Sequence, residues 1–88
     1  MQNSLTTETV TRGSQFCCIT YPDGMGHTTT ARSVFEAAAN SLLFAEACRR
    51  RYRDNGVIEV RKGYWGNEGT WRVRVGRVRA WQRERQTR

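Results

Sequence analysis

The chain has 88 residues, 38% hydrophobic and 26% charged, with a net charge of +7 and three cysteines. That length suits one small domain around a thin core, and no apolar run reaches the ~18 residues that span a bilayer. The whole of the +7 lies in the last third: residues 1–60 balance six arginines against six acids, whereas the nine basic residues of 61–88 meet only Glu68 and Glu84.

Residues 1–13 are polar, Thr-rich and aperiodic, which predicts a flexible arm and lacks the apolar stretch of a signal peptide. The domain proper is expected over 14–81, with 82–88 as a basic tail. Ser14 to Thr20 reads as a strand. Tyr21-Pro22-Asp23-Gly24-Met25-Gly26 supplies a turn, since Pro fixes φ, Asp caps, and Gly permits positive φ. His27 to Ala31 completes a hairpin. Ser33-Val34-Phe35-Glu36 is a capping box that opens a helix, with Phe35, Ala38, Leu42, Ala45, Cys48 and Tyr52 as its apolar stripe. Asn55-Gly56 offers the stop, and Arg49, Arg50, Arg51 and Arg53 suit the negative end of the helix dipole.

Val57 to Lys62 alternates as a strand, with Ile58 and Val60 on one face and Glu59 and Arg61 on the other. Gly63 to Thr70 reads as a loop that exposes Tyr64 and Trp65. The last strand is expected from Trp71 to Trp81, with a bulge at Gly76 where the apolar period slips by one. The bulge would keep Trp71, Val73, Val75, Val78 and Ala80 in the core. It would also set Arg72, Arg74, Arg77 and Arg79 in one row, joined by Trp81. The fold class is therefore α+β: a ββαββ domain whose four-stranded, mostly antiparallel sheet carries one helix packed on one face.

Few residues suit catalysis. His27 is the single histidine and sits beside a glycine turn; Asp23 is the nearest acid. Cys17, Cys18 and Cys48 are odd in number with two adjacent, a poor disulfide framework. They read as small buried hydrophobes in a reducing cytoplasm, although adjacent strand residues face opposite sides. No Cys/His set has zinc spacing, and Gly24-Met25-Gly26 lacks the rest of a phosphate loop. The expectation is a non-enzymatic protein without cofactor or metal.

The segment FCCITYPDGMGHTTTARSVFEAAANSLL resembles a family of short uncharacterised bacterial proteins. They share a strand, an Asp-Gly turn, a Thr- or Val-rich strand and an S-x-x-E-A-A helix. Asp23-Gly24 and Ser33-Val34-Phe35-Glu36-Ala37-Ala38 carry the likeness, across about residues 16–45. It implies the fold and no activity. In size and architecture the expected domain is also similar to phage-encoded anti-CRISPR proteins.

Arginine forks bind phosphate, and exposed aromatic rings stack on unpaired bases. The expected function is nucleic-acid binding, DNA or RNA, with Arg61, Lys62, Arg72, Arg74, Arg77 and Arg79 on phosphates and Trp65 and Trp81 as stacking platforms. The alternative is an inhibitor or adaptor that docks an acidic protein surface, or a protein with a structural role. An uncovered sheet face also suits a homodimer, and no membrane partner is expected.

Overall fold

The computed structural model describes residues 13–86. Apart from Gly13, the expected N-terminal arm lies outside the described residues, as do positions 87 and 88 of the expected tail. Strands β1 (Ser14–Tyr21) and β2 (Met25–Ala31) form the hairpin, followed by helix α1 (Val34–Ala47). Strand β3 (Val57–Lys62), a short 3-10 turn (Tyr64–Gly66), strand β4 (Gly69–Arg74) and helix α2 (Val75–Gln86) complete the chain. The sheet order is β2-β1-β3-β4, and every neighbouring pair is antiparallel.

Period-two alternation sorts the two faces of this sheet. Phe16, Cys18 and Thr20 of β1, Ile58 and Val60 of β3, and Val73 of β4 point to the side that α1 covers, and all are buried. The helix contributes Ala37, Ala38, Ala39, Leu42 and Ala45. Alanines keep the side chains between helix and sheet short, and the Cys18 thiol reaches the Ala37 carbonyl at 3.6 Å. Ser33 caps α1 by accepting from the Glu36 amide at 3.1 Å, while the Glu36 carboxylate accepts from the Arg32 amide at 2.6 Å.

Helix α1 ends earlier than the apolar stripe predicts. The Arg49 amide bonds the Glu46 carbonyl and the Arg50 amide the Ala45 carbonyl, which closes the helix in a Schellman motif with Arg49 at φ 65°. Arg49 in this left-handed position turns the chain into the segment that buries Tyr52. The Tyr52 hydroxyl donates to Asp23 at 2.8 Å and lies 3.1 Å from the Thr20 hydroxyl. That bond ties the segment after α1 to the hairpin and overrides the local stop at Asn55-Gly56. Arg49, Arg50, Arg51 and Arg53 therefore lie beyond the last helical turn, not within it. Arg49→Gly is expected to raise stability by up to about 1 kcal/mol, read as a higher urea midpoint, because it relieves the left-handed strain of a Cβ.

The expected final strand is replaced by a strand and a second helix. Val75 and Val78 are both fully buried at helical spacing, and Trp81 follows one turn later to stack on Phe35 at 6.2 Å. The first amides of α2 find acceptors in the turn before β3: Val75 bonds the Gly56 carbonyl and Gly76 the Asp54 carbonyl. The slip in apolar period at Gly76 thus marks a change from period 2 to period 3.6, not a bulge. Ala80, expected in the core, is exposed, and residues 82–86 are the end of α2, not a tail. The loop expected over 63–70 also shortens, since β4 starts at Gly69. No helix among the described residues is long and apolar enough to cross a membrane.

Candidate functional site

The face of the sheet opposite α1 carries Cys17, Ile19 and Tyr21 from β1, Thr28 and Thr30 from β2, Glu59 and Arg61 from β3, and Thr70, Arg72 and Arg74 from β4. Register sets Glu59 between Ile19 and Arg72, at the centre of this open face. Its carboxylate accepts from Arg61 Nε and the Tyr21 hydroxyl, both at 3.1 Å, and from an Arg72 terminal nitrogen at 3.4 Å. The Arg61 bond, helped by Tyr21 and the Arg72 charge, outweighs burial and holds Glu59 below the usual carboxylate range. The Arg72 guanidinium also lies 5.5 Å from the centre of the Tyr21 ring. Two arginines are thereby laid flat on the sheet by one acid, and Arg74 stands exposed at the end of β4.

At the other end of the face, the turn after β3 folds back over the sheet. A Cβ on Gly66 would come within 2.5 Å of Thr70 Oγ1 and 3.4 Å of Arg61 Cγ, so only glycine permits this approach. The turn is closed by the Gly66 amide on the Gly63 carbonyl and the Glu68 amide on the Lys62 carbonyl. It displays Tyr64 and Trp65, which are 78% and 80% exposed and contact each other edge to face at 5.7 Å. Rings this open contribute little to the core. An open hollow of about 630 Å³ runs from Gln15, Cys17, Thr28 and Arg61 of the open face to Lys62 and Tyr64.

The residues expected as one site divide into three groups. Arg61, Arg72 and Arg74 lie on the open face, whereas Lys62, which pairs with Phe16 on the covered side, and Trp65 stand at its rim, where Lys62 and Tyr64 line the hollow. Arg77 is exposed on α2, against a hollow lined by Phe35, Trp71 and Arg74. Arg79 and Trp81 serve the fold. Arg79 donates to Asp54 at 2.8 Å and to Glu46 at 3.1 Å, pinning α2 to α1 and to the turn before β3. Trp81 stacks on Phe35, and the Arg85 guanidinium lies 4.8 Å from the centre of the Trp81 ring. The single row of Arg72, Arg74, Arg77 and Arg79 therefore does not exist, because the chain becomes helical after Arg74. Trp71 remains on the covered face but near its edge, 39% exposed and edge-on to Phe16.

Of the cysteines, only Cys18 is the buried hydrophobe expected; Cys17 and Cys48 are exposed, and all three are free thiols. Burial, with the neighbouring Cys17, pushes the Cys18 thiol up to about 11, which keeps it protonated at neutral pH. His27 stacks on Phe44 with ring centres 4.3 Å apart.

No protein-family model matches the chain, and no curated protein or solved structure matches it either. The site must be read from its own geometry. Two parts of that geometry go beyond the residues singled out from the sequence. Tyr21, placed there in a turn, closes β1 and faces Glu59. Glu59 itself was visible as the one acid alternating with Ile58 and Val60 in a strand, but only the register reveals that it meets two arginines.

Proposed function

We propose that the open face binds single-stranded nucleic acid, with Arg61, Lys62, Arg72 and Arg74 on the phosphates and Tyr64 and Trp65 stacking on bases. The observation that carries this reading is the exposed Tyr64–Trp65 pair at the rim of a face bearing three arginines. Stacking of this kind requires unpaired bases, and a broad sheet offers no protrusion for a duplex groove. Phosphate contacts supply affinity without sequence preference.

Fluorescence anisotropy with labelled single- and double-stranded oligonucleotides tests it. Four phosphate contacts give a salt slope near −3, so affinity for the single strand should fall about fiftyfold between roughly 50 and 200 mM salt. Replacing Tyr64 and Trp65 together with Ala should weaken binding about tenfold or more with the slope unchanged, since each stacked base is worth about 1–3 kcal/mol. Arg74→Gln should reduce the slope by about 0.7. No binding at low salt, or indifference to the aromatic pair, overturns the proposal.

A second reading, an adaptor docking an acidic protein surface, is favoured by Arg77, which stands exposed on α2 beside a hollow of about 500 Å³ that Phe35, Trp71 and Arg74 also line. A partner retained after nuclease treatment and lost in Arg77→Glu supports it.

A further inference from the structure

The two edges of the sheet differ in chemistry. Strand β4 carries Arg72 and Arg74, a charged guard of the kind that keeps edge strands from pairing. Strand β2, the opposite edge among the described residues, reads Met25-Gly26-His27-Thr28-Thr29-Thr30-Ala31 and has no charge, no proline and no bulge in its register with β1. Helix α1 leans over it: Asn40 donates to the Thr29 hydroxyl at 3.0 Å, and Phe44 stacks on His27. Phe44 is 41% exposed there, and Leu43, one position before it on the outer surface of the helix, is 55% exposed. A neutral seven-residue edge and an apolar helix patch thus form one continuous strip on a protein of net charge +7.

We infer that this strip is the seam of a symmetric homodimer, in which β2 pairs antiparallel with its counterpart and the sheets join into one of eight strands. A second copy is the occupant that fits the charges. Two +7 chains repel wherever their arginines meet, and β2 is where they approach without doing so. The strand is flanked by Asp23 at one end, paired with Arg50 at 3.6 Å, and by Arg32 at the other, paired with Glu36 at 3.5 Å; their side chains stay 27% and 59% exposed, open to a further opposite charge. Antiparallel pairing brings each Asp23 toward Arg32 of the partner subunit, at both ends at once; parallel pairing sets like beside like. In the antiparallel register Thr28 meets its own counterpart, a favourable cross-strand pair. A two-fold axis normal to the sheet keeps both open faces on one side and both α1 helices on the other, so Leu43 and Phe44 of the two copies meet. The inference stands apart from nucleic-acid binding, although a dimer would carry a Tyr64–Trp65 platform at each end of its open face.

Light scattering coupled to gel filtration on nuclease-treated full-length protein tests it, with an expected mass of about twice 10.2 kDa. Thr28 is the middle residue of β2 and is exposed on the open face. Antiparallel pairing about the strand centre sets Thr28→Lys directly opposite itself, so this variant should raise the dimer dissociation constant about tenfold or more. Mixing Thr28→Lys with Thr28→Glu should restore a heterodimer. Leu43→Ser gives a second variant outside the strand and should also weaken the dimer. Arg72→Gln and Arg74→Gln should leave it intact. A monomer at concentrations up to about 1 mM overturns the inference. So does a dimer as tight in Thr28→Lys and Leu43→Ser as in the wild type.

Discussion

Val78→Asp is expected to abolish the cooperative thermal transition, whereas Ala80→Lys, two residues away, leaves it in place. Val78 is fully buried where α2 meets the rest of the core, and the described structure offers its replacement carboxylate no partner there. Burying such a group costs several kcal/mol even after partial neutralisation. Domains of this size have only about 5–15 kcal/mol of total stability, so the native state should be nearly lost at room temperature. Ala80 faces solvent on the same helix, and lysine is a good helix former. Circular dichroism melts of the two variants decide the matter. On a bulged strand from Trp71 to Trp81 both positions would face the core and both changes would be destructive. Two unfolded variants would therefore overturn the α2 helix.

That contrast locates the limit of sequence reading in this chain. The hairpin, α1 and β3 are local structures: turn chemistry at Tyr21 to Gly26, the Ser33/Glu36 box and the alternation of Ile58 and Val60 each act over a few residues. The last segment is ambiguous locally, because Val73, Val75 and Val78 satisfy period 2 up to Val75 and period 3 after it. What selects the helix is tertiary: Asp54 and Gly56 accept its first amides, and Phe35 accepts Trp81. The end of α1 was hidden for the same reason, since the burial of Tyr52 is arranged by Thr20 and Asp23, more than twenty residues away. A strong local stop at Asn55-Gly56 could not reveal that the helix had already closed at Arg49.

The candidate site was legible as composition and not as geometry. The sequence identifies a basic third containing Tyr64 and Trp65, and these aromatics do stand in solvent. It could not separate arginines that act as structure from those left on the surface. Arg79, on α2, has Glu46 and Asp54 within reach, and both acids come from other parts of the chain. Nor could it show that the charge of the open face is set by Glu59, which lowers three arginines to a net of two and fixes where two of them lie.

Glu59→Gln should therefore separate stability from binding. Glutamine retains an acceptor for one partner but loses the charge that holds Arg61 and Arg72 together; with those side chains 32% and 61% exposed, water screens the pairs and the loss costs about 1 kcal/mol or less. The chemical denaturation midpoint should fall accordingly. In the same variant the freed guanidiniums should bind single-stranded oligonucleotide roughly fivefold more tightly at low salt, a gain that shrinks as screening rises. The pH dependence of the wild type has the same origin. Because the folded Glu59 titrates below its unfolded value, its contribution is whole above the ordinary carboxyl range and is lost as pH falls through the folded value. Asp23 and Glu36 are held low as well. In Asp23, bonds from Tyr52, the Met25 amide and Thr20, with the Arg50 charge, outweigh burial. In Glu36, the Arg32 amide and charge outweigh it. Stability should thus decline below about pH 4.5, with a shallower slope in Glu59→Gln than in the wild type, while oligonucleotide affinity of the wild type rises as Glu59 takes its proton. Urea titrations and anisotropy across that range, in both proteins, measure the two effects together. A variant that loses stability without gaining affinity would mean that Arg61 and Arg72 do not contact the ligand.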